Sequence, residues 1–315
     1  VKATGRLVNV LYRIRITDEE KESKEVHQLQ DQTLALPLSL WNQGERASVQ
    51  IKPAKGLAAM ETVLTFRQGA TGKDQRNPMF FAQLSKVLQY DPPSEEAEKQ
   101  FIADTQTQIG FAEDGAFDYS ALSAGQQLAI LDGQEAGHNE VQAFIPNRGV
   151  KVGTATFTSD KAGNYGDDWL LRSAMVLAGA MYPTTEVSRY ADIFIDGSNE
   201  PLTGQRRYTM TFGPDSLPPV TSFWSLHMYS LGTYDLVPNL INRYKVGPAT
   251  PGLQLDKDGA LTIYIAHEEP ADAKQRANWL PAPQGPFYAM VRFYAPTRAI
   301  LDLSYQLPPL VAVKE

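Results

Sequence analysis

The residues of this chain that could do chemistry are four histidines, one serine close to a histidine, and a set of Trp, Tyr, Asn, Asp and Arg side chains. His27, His138, His227 and His267 are scattered. His227 lies in the strand-like run Leu226-His227-Met228, and His267 closes another run, followed by Glu268 and Glu269. If those strands were neighbours, two imidazoles and a carboxylate would converge as a metal site requires. The alternative is two strand histidines on different faces. Ser225 and His227 share one face at a period of two, as a Ser–His pair would, but a nucleophile needs an exposed and positioned oxygen. Tyr165, Asp168, Trp169 and Arg172 gather at a helix start, while Trp224, Arg243, Asn278 and Trp279 come later. Together with His227 they form a candidate ligand-binding set. Aromatic faces with Asn, Asp and Arg edges suit a small sugar-like or amphipathic molecule. Each also has a structural reading: Arg243 could pin a turn carbonyl, Asn278 could form a turn, and the tryptophans could fill a core.

The familiar catalytic signatures are absent. There is no G-x-S-x-G elbow, H-E-x-x-H helix, G-x-G-x-x-G turn or EF-hand loop. Gly69-Ala70-Thr71-Gly72-Lys73 has neither the glycine spacing of a phosphate loop nor a Ser or Thr after the lysine. No cofactor and no catalytic residue is therefore assigned. The chain contains no cysteine, which excludes disulfides, thiol nucleophiles and thiolate metal sites. A net charge of −7 argues against nucleic-acid binding, which needs clustered Lys and Arg. No apolar run approaches the length of a membrane span, roughly 20 residues. The chain starts at Val1 with neither Met nor a signal peptide, so it reads as processed, truncated or a fragment.

The elements that must position these residues follow from spacing. A length of 315 residues predicts more than one domain. Tyr12-Arg13-Ile14-Arg15-Ile16 alternates as a half-buried strand, and Thr17-Asp18-Glu19-Glu20 reads as a capping box for a helix to about Gln32. Residues 41–74 read as a surface excursion with one strand near Thr62–Phe66. Helices are expected from Asn77-Pro78 onward, from Ser94 to about Ile109, over Ser123–Ala143 and over Asp167–Met181. In the last of these, Leu170, Ala174, Leu177 and Met181 share a face and Asp168 can pair with Arg172. After Pro183 the texture changes: 14 of the 21 prolines lie between Pro201 and Pro309 and punctuate short β-rich runs. Strands are expected at Tyr190–Asp196, Arg207–Phe212, Phe223–Tyr229, Asn242–Gly247, Leu261–His267, Phe287–Tyr294 and Tyr305–Val313. About seven strands without intervening helices predict a sandwich or jelly roll. The expected fold class is mixed α and β, multi-domain. It comprises a remnant strand and helix (1–40), a mainly helical connecting region (41–185) and a C-terminal antiparallel β jelly-roll-like sandwich (186–315).

Several runs carry a family resemblance: Arg207-Tyr208-Thr209-Met210-Thr211-Phe212, Leu217-Pro218-Pro219-Val220, Phe223-Trp224-Ser225-Leu226, Asn242-Arg243-Tyr244, Asp258-Gly259, Asn278-Trp279-Leu280-Pro281-Ala282-Pro283 and Arg292-Phe293-Tyr294. In order and spacing they resemble the bacterial paired domains of unknown function numbered 1254 and 1214. Val26-His27-Gln28-Leu29-Gln30-Asp31-Gln32, Asn77-Pro78-Met79-Phe80-Phe81 and Asn164-Tyr165-Gly166-Asp167-Asp168-Trp169 resemble the end of the first module and the helical segment after it. The resemblance implies two jelly-roll modules joined by helices in an exported, periplasmic or secreted protein, and no established activity. It also implies that most of the first module is missing here, as a separate N-terminal polypeptide or altogether; a homo-oligomer is the other partner it leaves open. The leading expectation is an exported binding or structural module with an aromatic-rimmed cleft between helices and sheet. The alternatives are a hydrolase of a small ester, lactone or amide, and a metal-dependent enzyme using His227 and His267.

Overall fold

The computed structural model describes residues 19–32, 76–179, 181–231 and 235–313. The strand expected over 5–16, the Thr17 cap, the excursion over 41–74 and the glycine run at 69–73 lie outside them. The chain divides into two compact units, Val1–His138 and Asn139–Glu315. In the first are α1 (Glu19–Gln32), α2 (Phe80–Tyr90), α3 (Glu96–Ile109) and most of α4 (Ala124–Phe144). The start of α4 is a capping box: Ser123 N donates to Gln126 Oε1 at 3.0 Å while Ser123 Oγ accepts from Gln126 N at 3.4 Å. α3 ends where Gly110 takes a φ of 90°, a left-handed cap that suits glycine. Phe81 meets the rings of Phe111 and Phe117 at 6.2 and 5.6 Å, giving this unit a small aromatic cluster. Among the described residues no helix is long and apolar enough to cross a membrane.

The second unit is a two-sheet sandwich. Its strands are β1 (Gly149–Val152), β2 (Ala155–Thr158), β3 (Ser188–Ile193), β4 (Tyr208–Phe212), β5 (Trp224–Ser230), β6 (Lys245–Val246), β7 (Leu261–Ala266), β8 (Trp279–Pro281), β9 (Phe287–Tyr294) and β10 (Val311–Ala312). One sheet has the order β1-β2-β3-β9-β5-β6 and the other β10-β4-β7-β8. Three helices accompany them: α5 (Trp169–Gly179), α6 (Ala273–Ala277) and α7 (Arg298–Leu301). Alternation builds the core. Phe287, Ala289, Val291 and Phe293 of β9 all point inward and meet Tyr208, Met210 and Phe212 of β4 and Ile263 and Ile265 of β7. Across the sandwich the rings of Phe212 and Trp224 lie 5.0 Å apart, and those of Tyr208 and Phe287 5.8 Å apart.

Four departures from the sequence expectations have physical causes. β1 and β2 form a hairpin that was not expected, turning at Gly153 with a φ of 60° and joining β3 through β2. Ala155 and Phe157 carry its inward alternation, in a run too short to stand out after a helix. The run 242–247 contributes only Lys245–Val246, since Asn242 has a φ of 50° and leaves extended geometry. The run 305–313 contributes only Val311–Ala312, because Pro308 and Pro309 have no amide to donate to a ladder. Finally, the sheets are antiparallel except for β7 and β8, which pair in parallel. The short α6 lies between them and lets the chain return in the same direction.

Arg189 ties the sandwich edge together. It sits on the inward face of β3 at 1% exposure. Nε and Nη2 donate to Thr158 O at 3.0 and 2.8 Å, and Nη1 donates to Ile300 O and Leu301 O at 3.2 and 2.6 Å. Burial pulls its pKa below the ordinary arginine value. The guanidinium thus binds β2 to the C-terminal end of α7, whose carbonyls also suit a cation. Arg189→Met should remove the side-chain donors from Thr158 O, Ile300 O and Leu301 O and cost about 2–4 kcal/mol in urea unfolding. Arg298→Met, at a side chain 94% exposed, should cost less than about 0.5 kcal/mol. Equal midpoints for the two variants would show that the clamp contributes nothing.

Candidate functional site at the junction of helix α5 and the six-stranded sheet

Asp168 begins α5. Its Oδ1 accepts from Leu171 N at 3.2 Å and its Oδ2 from Lys161 Nζ at 2.8 Å. The Lys161 hydrogen bond holds its carboxyl below the usual range. Asp168 is therefore a helix cap paired with Lys161, and not the expected partner of Arg172, whose guanidinium lies 5.9 Å from the Trp169 ring centroid. Tyr165 packs on Ala162, Leu171 and Met175, together with Phe144 and Tyr182. The buried stripe of α5 is Leu171, Ala174 and Met175, while Leu177 and Met181 are exposed. α5 is apolar on more than one side, so periodicity alone leaves its rotation open and packing decides it.

The other candidates fall in three places. Trp224 is buried in the sandwich core. Asn278 is fully buried and fully satisfied: Oδ1 accepts from Gln254 N at 2.8 Å, and Nδ2 donates to Gln254 O and Thr262 O at 2.7 and 2.9 Å. Trp279 donates from Nε1 to Ala266 O at 2.9 Å, and Arg243 Nη1 donates to Ala277 O and Trp279 O, each at 2.9 Å. Arg243 and Trp279 line one shallow groove of about 420 Å³ with Ile241, Pro251, Glu269 and Arg276. His227 is on β5, with Nε2 2.8 Å from Ser225 Oγ. His267 follows β7, in the other sheet, and its Nδ1 lies 3.0 Å from Ala282 O. Among the described residues no group of three His, Asp or Glu side chains is placed to hold a metal.

A different constellation occupies the outer face of the six-stranded sheet. The alternation that sends Ala191 and Ile193 inward sends Ser188, Tyr190 and Asp192 outward. Register sets Thr156, Asp192, Met290 and His227 in one row across β2, β3, β9 and β5. Tyr190, Arg292 and Ser225 form the next row. Arg148 Nη2 donates to Asp192 Oδ2. Arg292 Nη2 donates to the Tyr229 hydroxyl, and its guanidinium carbon lies 5.7 Å from the Tyr190 ring centroid and 5.9 Å from that of Tyr229. An aromatic row of Phe194, Tyr288 and Tyr229 stacks at 5.1 Å intervals beside it.

Asp192 is buried and lines a small cavity of about 10 Å³, the size of a single water. Met175 and Tyr182 line that cavity together with Thr156, Tyr190 and Asp192 of the sheet. Gly149 lines it at a point where a Cβ would meet Phe157 O at 2.3 Å, so no larger residue fits without moving β2. Asp192 Oδ1 and Arg292 Nε are both buried without a hydrogen-bond partner in the protein. Burial pushes the Asp192 carboxyl up to about 6, against the pull of Arg148 and Arg292. Burial also raises the phenols of Tyr182 and Tyr229. Neither Asp192 nor Arg292 was among the residues expected from sequence. The available signal was a charge in the middle of each of two expected strands, Tyr190–Asp196 and Phe287–Tyr294, on the face opposite the apolar one.

Residues 187–298 match the family described as a protein of unknown function, DUF1214. The resemblance to that module is therefore shown for the stretch that holds β3 through β9. Among solved structures, the chain is similar to the VPA0106 protein from Vibrio parahaemolyticus, with 23% identity and a TM-score of 0.58. The similarity covers 94% of this chain and 66% of that one, so the chain spans just under two thirds of the Vibrio protein's length. An uncharacterized protein from Burkholderia cenocepacia is 12% identical over 74% of this chain and 52% of its own, at a TM-score of 0.27. No curated protein matches. The function of the family is not established.

The Asp192 carboxyl makes a signed prediction. Its folded value of about 6 exceeds the ordinary 3.8, so between those values the folded state holds the extra proton. Stability should be highest below about pH 4 for this group, fall through about pH 6 and level off above, by on the order of 2–3 kcal/mol. Asp192→Asn should lack that component. The check is urea unfolding of both proteins at about pH 5 and about pH 7.5. A difference between them that does not change with pH would contradict the burial account.

Proposed function

We propose that this chain is a binding module whose ligand is a small sugar-like or amphipathic molecule, seated where α5 meets the outer face of the six-stranded sheet. The observation that carries this reading is the pair of buried, unpartnered polar atoms, Asp192 Oδ1 and Arg292 Nε, on one face. Buried polar groups are ordinarily satisfied, and leaving two open on one face of the sheet is costly unless something completes them. The tyrosines around them supply apolar area with hydroxyl edges, a combination suited to a molecule with one apolar side. We read the sandwich as a jelly-roll type module of an exported protein, as the family resemblance implies.

A thermal-shift screen with sugars and small amphiphiles tests this. At least one compound should raise the melting temperature of the wild type. The shift should be lost in Arg292→Gln and kept in Arg243→Gln, which alters the separate groove. No shift with any compound would remove the binding reading.

A second reading, hydrolysis of a small ester, lactone or amide, is favoured by one contact. Ser225 Oγ lies 2.8 Å from His227 Nε2, and the register sets Arg292 opposite Ser225. A base beside a hydroxyl, facing a cation that could receive a developing oxyanion, is the layout of nucleophilic acyl transfer. Against it, Ser225 is 4% exposed, in the middle of a strand. Under this reading a panel of small esters should be turned over by the wild type and at least about 100-fold more slowly by Ser225→Ala. Equal rates for the two would end it.

A further inference from the structure

Outside the junction, Arg243 carries a charge that the protein leaves uncompensated. Its backbone is held on both sides by one side chain: Asn239 Oδ1 accepts from Arg243 N at 2.9 Å, and Asn239 Nδ2 donates to Arg243 O at 3.1 Å. Its guanidinium is fixed at one nitrogen only. Nη1 donates to Ala277 O and Trp279 O, each at 2.9 Å, and reaches Arg276 O at 3.4 Å. Among the described residues, Nε and Nη2 donate to nothing, and no carboxylate pairs with Arg243. Those two nitrogens form the flat side edge of an arginine, which matches the paired oxygens of a carboxylate.

The groove that Arg243 lines has room for a ligand. It encloses about 420 Å³, within the range of small-molecule sites. Ile241, Pro251, Ala273 and Trp279 give it apolar walls. Its other charges satisfy each other: Arg276 Nε lies 2.7 Å from Glu269 Oε1, and Arg276 also donates to Pro270 O and Ala271 O. Two arginines against one glutamate leave the lining with a single net positive charge. Burial draws the Arg243 pKa below the ordinary arginine value, and no acid among the described residues offsets that pull. A partly desolvated cation gains most from a counter-charge that also occupies its donors.

We infer that this groove binds a small monocarboxylic acid, its two oxygens on the Nε–Nη2 edge of Arg243 and its apolar body against Ile241 and Pro251. One negative charge matches the lining, whereas a phosphate dianion would exceed it and meet Glu269. A carboxylate uses both open donors at once. A neutral amide offers one acceptor and sets its own donors against the guanidinium. Asn239 and the carbonyls of Ala277 and Trp279 already hold Arg243 in place, so binding orders little that is not ordered beforehand. The groove shares no lining residue with the junction cavity, and the two sites stand or fall separately.

Ligand-observed NMR titration of the intact chain with benzoate, its neutral isostere benzamide and inorganic phosphate tests the inference. Benzoate should bind the wild type with a Kd of about 1 mM or tighter, at least about fivefold more tightly than either of the others. Arg243→Lys keeps the charge but loses the paired donors, and should weaken benzoate at least about fivefold. Ala273→Phe fills the groove while leaving Arg243 and its carbonyls in place. It should abolish benzoate binding with the unfolding midpoint near that of the wild type. Arg292→Gln, at the junction, should bind benzoate as the wild type does. Benzamide or phosphate binding as tightly as benzoate would overturn the inference, and so would undiminished benzoate binding by Ala273→Phe. So would loss of benzoate binding in Arg292→Gln, or no binding to the wild type at about 10 mM benzoate. None of these results bears on the thermal shift expected at the junction.

Discussion

The second unit depends on the period of two along β9. Successive side chains of an extended strand point to opposite sides, and β9 lies in the interior of a sheet, paired on both edges, by β3 and by β5. One face of this strand, Phe287, Ala289, Val291 and Phe293, is wholly core. The other carries Tyr288, Met290, Arg292 and Tyr294, aromatic and charged apart from the methionine. A slip of one residue would send Arg292 into the sandwich and Phe293 out of it, so the core that fixes the register fixes the outer face as well. The site is thus a by-product of a packing constraint: its side chains cannot shift while the core stays packed.

The same unit holds charge in two different ways. Arg189 is buried against four carbonyl contacts with no carboxylate, an arrangement that satisfies donors and joins β2 to the end of α7. Every donor used there has a protein acceptor, so nothing about it invites a ligand. Arg148, Asp192 and Arg292 are arranged otherwise. One ion pair is formed, a second cation stacks on tyrosines, and two polar atoms stay open. The difference between a structural charge and a candidate functional one lies in that open valence rather than in burial, which the two share.

The residues singled out by type were mostly those with structural work to do. Asn278, Trp279 and Arg243 hold carbonyls and amides around α6 and β8, and Asp168 caps α5. Such residues form recognisable local motifs because turns and caps demand particular chemistry at fixed offsets. Asp192 and Arg292 form no local motif. They are 100 positions apart by their numbers, and only strand pairing makes them diagonal neighbours. His227 and His267 show the reverse case, where two strands legible in sequence belong to different sheets.

By itself the sequence determined the β texture of the last third, most strand positions from β3 to β9, the start of α4 and the order of motifs matched by the family. These depend on short-range terms: alternation, proline without an amide, glycine at positive φ, and caps. Tertiary structure alone decided four other things. The β1–β2 hairpin extends the sheet, β8 lies parallel to β7, α5 turns Leu171 and Met175 inward, and Arg148, Asp192 and Arg292 share one face. Each is a choice of partner between segments distant in the chain. Partner choice is settled by the packing of whole faces against one another, which no local spacing encodes.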